Sequence, residues 1–187
     1  MKIESVLSLR NGHSVELCDE LPNGERYYVP EGSTESGQDG VIVRFAVGTD
    51  HEWVGVFAFG SYGNSYPNCV IPLPDSDRVL VVSSGDGYVV REGVPCSFER
   101  VKAVPVRSVH PIPGRKLVAL ADDTTIVAYG RDGLLWQTER IGWHDLRIEC
   151  VEDNLIHCKT FDIRSDDDVS FTVDMASGKA NGGIQVI

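Results

Sequence analysis

The sequence predicts an all-β chain of antiparallel strands, on three observations. Val and Ile number 25 and 11 against 8 Ala and 12 Leu, an excess of β-branched over helix-forming side chains. Tight-turn dipeptides punctuate the chain between short apolar runs. No stretch carries a helical period long enough for the crossovers that a parallel sheet needs. Helix is expected to stay below about a tenth of the residues, against a usual third.

The elements follow from the turns. Asn11-Gly12 separates Ser5–Arg10 from His13–Cys18 and predicts a two-residue hairpin. Val41-Ile42-Val43-Arg44-Phe45 is the next strand-like run, after an exposed Gly-, Ser- and Glu-rich loop at Pro30–Asp39. Asp86-Gly87 divides Arg78–Val82 from Tyr88–Val90, and Asp132-Gly133 divides Thr124–Tyr129 from Leu134–Thr138. Arg107–Arg115, with Pro111 and Pro113, reads as a stiff connector. Ser177-Gly178 closes the run Ser170–Asp174.

The strands recur. Val79 to Leu117 and Leu117 to Leu155 are equal steps along the chain, and one such step back from Val79 lands on Val41. Within Lys116–Ile148 and just beyond, four candidate strands follow one another: Lys116–Ala121, Thr124–Tyr129, Leu134–Arg140 and Asp145–Cys150. A meander of that length is close to one four-stranded propeller blade. The expected architecture is antiparallel meander repeats of about 38 residues, a small or partial β-propeller-like fold, with a β-sandwich of two antiparallel sheets as the alternative. One domain spans 1–187, with a soft boundary near Pro72–Asp77.

Two resemblances bear on this. Ile126–Thr138, in which a strand, a Gly turn and Leu135-Trp136 succeed one another, resembles the blade repeat of quinoprotein-like propellers. It implies blade geometry and no quinone chemistry. Leu117–Gly183 resembles the C-terminal part of small bacterial proteins of unknown function. The residues that carry it are Ala128-Tyr129-Gly130, Trp136–Arg140, Trp143–Ile148, Phe171–Asp174, Gly178 and Gly182-Gly183. It implies a fold and a bacterial source, and no activity.

Charge narrows the function classes. With 28 acidic and 17 basic residues the net charge is −11, which disfavours nucleic acid and anionic membranes as partners. The first ten residues contain no apolar core of signal-peptide length, and no stretch approaches the length of a membrane helix. Five scattered cysteines suit reduced thiols in a cytoplasmic protein better than a disulfide framework.

Catalytic templates fail one after another. No Gly-x-Ser-x-Gly is present, and Ser83–Gly87 reads as a hairpin tip. His144, Cys150, His157 and Cys158 cluster in sequence, but neighbours in a strand point to opposite faces and cannot easily share an ion. Asp166-Asp167-Asp168 lacks the ligand spacing of a calcium loop, and Asp122-Asp123 reads as a turn. No metal or cofactor is expected. The candidate binding residues are Tyr62 and Tyr66, in the aromatic loop Gly60–Asn68, and the row Trp143-His144-Asp145. The expected function is a non-enzymatic module that binds a protein partner, in the manner of an acidic immunity or inhibitor protein. The alternative is a small carbohydrate-active or hydrolytic enzyme that uses loop carboxylates.

Overall fold

Turn chemistry and buried apolar runs produce short strands joined as meanders. The computed structural model describes residues 6–8, 14–22, 26–31, 39–59, 62–63 and 65–184. Among them there is no α-helix, and just over half lie in strands. The chain forms two compact units, residues 1–101 and 102–187. Pro72–Asp77 covers the last residue of one strand and its connection to the strand it pairs with, inside the first unit.

The first unit holds two sheets. One contains β1 (Val6–Ser8), β2 (Ser14–Cys18), β3 (Tyr27–Tyr28), β4 (Gly40–Phe45) and β5 (Trp53–Ala58), in the order β1-β2-β4-β5-β3. All its pairings are antiparallel except that of β3, which lies parallel on the outer edge of β5. The other is the antiparallel meander β6 (Cys69–Pro72), β7 (Arg78–Ser83), β8 (Asp86–Arg91) and β9 (Phe98–Arg100). Val43, Phe45, Trp53 and Phe57 of the first sheet share a core with Val79, Val81, Tyr88 and Val90 of the second. Each such side chain taken from water stabilises the fold by roughly 1.5–3 kcal/mol.

The second unit holds two antiparallel meanders. They are β10 (Ser108–Ile112), β11 (Leu117–Ala121), β12 (Ile126–Gly130) and β13 (Gly133–Gln137), then β14 (His144–Glu152), β15 (Leu155–Asp162), β16 (Asp167–Asp174) and β17 (Ala180–Gly182). Leu117, Ala119, Ile126, Ala128 and Trp136 pack against Leu146, Ile156, Cys158, Phe171 and Val173. In β11 and β12 every residue is buried, which is why these runs read as continuously apolar rather than alternating.

The two units follow one plan. Trp53 Nε1–H donates to the Glu92 carbonyl at 2.7 Å, and Trp136 Nε1–H donates to the Met175 carbonyl at 2.8 Å. Each bond spans 39 residues and runs from the first sheet of its unit to the residue just after the third strand of the second sheet. The step along the chain from Trp53 to Trp136 therefore equals the step from Glu92 to Met175. Trp53 pairs with Phe45 as Trp136 pairs with Ala128, and Phe45 to Ala128 is the same step again. Tyr88 and Val90 face the first core as Phe171 and Val173 face the second, also one step on. An indole hydrogen bond thus clasps the two sheets of each unit.

Several sequence expectations shift in detail. Val79, Leu117 and Leu155 all stand at or next to the start of the second strand of their sheets, but the core-facing residue of the third is Ile156. The β7–β8 turn is Ser84-Gly85, since Ser83 pairs with Asp86, and both turn residues have the positive φ that such turns need, 43° and 90°. Arg131-Asp132 forms the β12–β13 turn, and Gly133, at φ 111°, is the first residue of β13. The stretch read as a connector contains β10, and Pro111 is tolerated there because β10 is an edge strand. The predicted fourth strand after Leu134–Arg140 belongs to the next sheet, as β14. The Asn11-Gly12 turn lies outside the described residues, as do most of Pro30–Asp39 and residues 60, 61 and 64.

Candidate functional site

The candidate residues fall in separate units. In the first, Tyr62 and Tyr66 make a tilted ring pair with centroids 5.5 Å apart, and Tyr62 is exposed. Asn68 Oδ1 accepts the Ser84 N–H at 2.7 Å, which ties this aromatic loop to the β7–β8 hairpin tip.

In the second unit the row Trp143-His144-Asp145 does not converge on one point. Two guanidiniums approach the Trp143 ring, with Arg140 Cζ 5.3 Å and Arg164 Cζ 5.6 Å from its centroid. Its Nε1–H is buried and has no hydrogen-bond partner among the described residues. His144 stacks at a tilt on Phe161, its partner across the ladder, at 5.4 Å. Asp145 sits at φ 55° in a register shift of β14 and approaches Arg147 at 3.7 Å. Arg147 in turn pairs with Asp168.

Loop carboxylates are engaged by their own turns. Asp122 accepts the N–H groups of Thr124 and Thr125 and both threonine hydroxyls. Asp123 pairs with Arg107 and Asp86 with Arg100. The Ser177 hydroxyl and N–H, with Asn154 Nδ2, hold the Asp174 carboxyl below its ordinary range. Among the described residues no group of three His, Cys, Asp or Glu side chains is placed to hold a metal ion. Cys150 opposes His157 across the β14–β15 ladder, whereas Cys158 is buried on the other face.

The geometry singles out a cleft of about 710 Å³ in the second unit, which the sequence reading missed. Its walls are the end of β13 and the following residues Glu139–Ile141 on one side, and the turn and strand around Ser177–Gly182 on the other. Arg140 and Lys179 both line it, and neither has a carboxylate partner among the described residues. Arg140 is held by its stacking on Trp143 and by an Nε–H bond to the Gly142 carbonyl at 3.3 Å. Gly178, at φ 70°, presses on the Trp136 indole, where a Cβ would stand 2.7 Å from the ring. From sequence, only the matching positions of the two clasp tryptophans could have pointed here.

Comparison of the chain with protein-family models, curated proteins and solved structures finds no match. No helix among the described residues is long and apolar enough to cross a membrane.

Proposed function

We propose that the protein is a non-catalytic binding module whose acidic first unit engages a basic protein partner, as an immunity or inhibitor protein does. The observation that carries this is the distribution of charge. Residues 1–101 hold 15 acidic and 7 basic side chains, a net −8, whereas residues 102–187 hold 13 and 10, a net −3. A field of one sign steers an oppositely charged partner and raises its association rate. The meanders, one blade-like sheet after another, supply a rigid scaffold, and the loops supply contacts, Tyr62 and Tyr66 among them. The hydrolase alternative has less support, because Asp122 is saturated by its turn and Asp123 and Asp145 face arginines.

The test is capture of the partner from cell extract, followed by association and dissociation kinetics at two salt concentrations. Association is expected to slow as salt rises while dissociation changes little. Turnover of a small substrate, abolished by one carboxylate substitution that leaves the fold intact, would overturn the reading.

A further inference from the structure

The shared plan of the two units exposes a difference between them. In the first unit the strand that carries the clasp tryptophan is covered on its outer edge by β3, with Tyr27 opposite Val54 and Tyr28 opposite Gly55. Tyr28 meets Trp53 edge-on at 5.8 Å, and Phe98 meets it at 6.0 Å. In the second unit the equivalent strand is β13, and among the described residues nothing pairs with its outer edge. Ala180 pairs with Val173 as Phe98 pairs with Val90, so alanine stands where the first unit has an aromatic ring. The missing strand and the missing ring leave the cleft that Gln137, Arg140, Lys179 and Ala180 line.

The backbone there suits a further strand. Thr138 spends its N–H on the Ile126 carbonyl, so by strand alternation the N–H and C=O of Gln137 point outward. Gln137 occupies the position of Val54, which in the first unit receives β3. Exposed edges of this kind accept extended segments through main-chain hydrogen bonds, with specificity read from alternate side chains. The cleft also sets a charge. Arg140 and Lys179 line it without carboxylate partners among the described residues, whereas Arg44, Arg91, Arg100, Arg107 and Arg147 pair with acids. Glu139, on the same wall, opposes an acidic ligand and sets how tightly one is held.

We propose that the outer edge of β13 binds an extended segment of a partner protein by parallel strand addition, with an aromatic side chain seated beside Trp136 over Ala180 and a carboxylate facing Arg140 and Lys179. This inference is independent of the charge on the first unit and stands or falls separately.

The test uses the full chain and three synthetic peptides. The first is the segment Gly-Glu-Arg-Tyr-Tyr-Val-Pro-Glu, residues 24–31, whose Tyr27-Tyr28 forms β3 on the equivalent edge. A second replaces its arginine by glutamate, and a third carries that replacement with N-methylated tyrosines. Binding is read by fluorescence anisotropy and mapped by amide hydrogen exchange. The glutamate peptide is expected to bind saturably, to bind more tightly than the first, and to protect amides in Gly133–Gln137. Arg140→Gln and Lys179→Gln together should weaken it about tenfold, the scale of two exposed charge contacts. Glu139→Gln should tighten it, and N-methylation should abolish it. Ala180→Phe, which fills the cleft as Phe98 does, should also abolish binding while the unfolding transition persists. Absence of binding up to about 1 mM, a weak limit on the affinity scale, would overturn the proposal. So would equal binding of the N-methylated peptide, or protection confined to other strands.

Discussion

Two thiols and one imidazole nitrogen sit where water hardly reaches them. Burial pushes Cys69 and Cys158 up to about 12, so neither forms the nucleophilic thiolate at neutral pH. Cys96 and Cys150 are exposed, and all five cysteines are free thiols. Iodoacetamide is therefore expected to label Cys96 and Cys150 in the native protein, and Cys69 and Cys158 only once it unfolds. Peptide mass mapping with and without denaturant checks this. Fast native labelling of Cys158 would show that the second core opens readily. His110, on edge strand β10, has its Nε2 buried with no hydrogen-bond partner among the described residues, and burial lowers its pKa from the ordinary value. The folded state thus favours neutral imidazole. As pH falls through about 6.5, the unfolded chain takes up a proton that the folded one resists, so stability declines. Urea titrations at pH 7.5 and 5.5 should show this decline, and His110→Leu should reduce it. An unchanged slope in the variant would assign the pH dependence to other groups.

The element that organises each unit is the indole clasp rather than any turn. Trp136→Phe keeps most of the ring but removes the donor and leaves the Met175 carbonyl without its bond, at a cost of about 1–3 kcal/mol. Trp53→Phe should cost a similar amount through Glu92, because the geometry repeats. Trp143→Phe is the control: its indole N–H has no partner among the described residues, so its removal should cost less than either clasp variant. Chemical denaturation measures all three, and a Trp143 cost equal to the others would deny the clasp its role. The strands of this plan were largely legible in the sequence, and the plan itself was not. Buried central strands such as Leu117–Ala121 betray themselves by unbroken apolar runs, hence the regular step from Val79 to Leu117 to Leu155. Turn positions slipped by a residue or two because Ser84-Gly85 and Asp86-Gly87 offer overlapping turn signals. Strand β10 was hidden by Pro111 within it and Pro113 just after it, and β3 by having only two residues. The clasp was invisible because its acceptors are backbone carbonyls, which any residue supplies. The shared plan behind it was obscured because the hairpin from Cys158 to its partner Phe171 is longer than the matching one from Val81 to Tyr88. Of the candidate residues, Trp143 was found for its aromatic character, yet its contacts are with Arg140 and Arg164. The cleft beside it depends on what the described residues of the second unit lack, and an absent strand leaves no motif.

At the scale of the whole molecule, the uneven charge makes the proposed partner binding testable without knowing the contact residues. Asp19, Glu20 and Asp50 are exposed in the first unit, and none of them takes part in an ion pair among the described residues. Asp166, Asp167 and Asp168 form the densest acidic run, but they lie in the nearly balanced second unit. Asp168 is tied to Arg147, and Asp167 accepts the N–H of Asp168. Density of charge in the sequence and charge available to a partner are therefore different quantities. Replacing Asp19, Glu20 and Asp50 by Asn, Gln and Asn removes three of the eight net charges of the first unit. Against a captured basic partner, association at low salt should slow several-fold while dissociation stays nearly constant, since steering acts before contacts form. Replacing Asp166, Asp167 and Asp168 by Asn should slow association less. It should cost no more than about 1 kcal/mol in stability, the worth of one exposed ion pair. At physiological ionic strength, where charges beyond about 8 Å are screened, the two variants should draw together. Stopped-flow association at two salt concentrations measures all of this. A larger loss of association rate from the Asp166–Asp168 variant would move the binding face to the second unit, where the open edge of β13 lies.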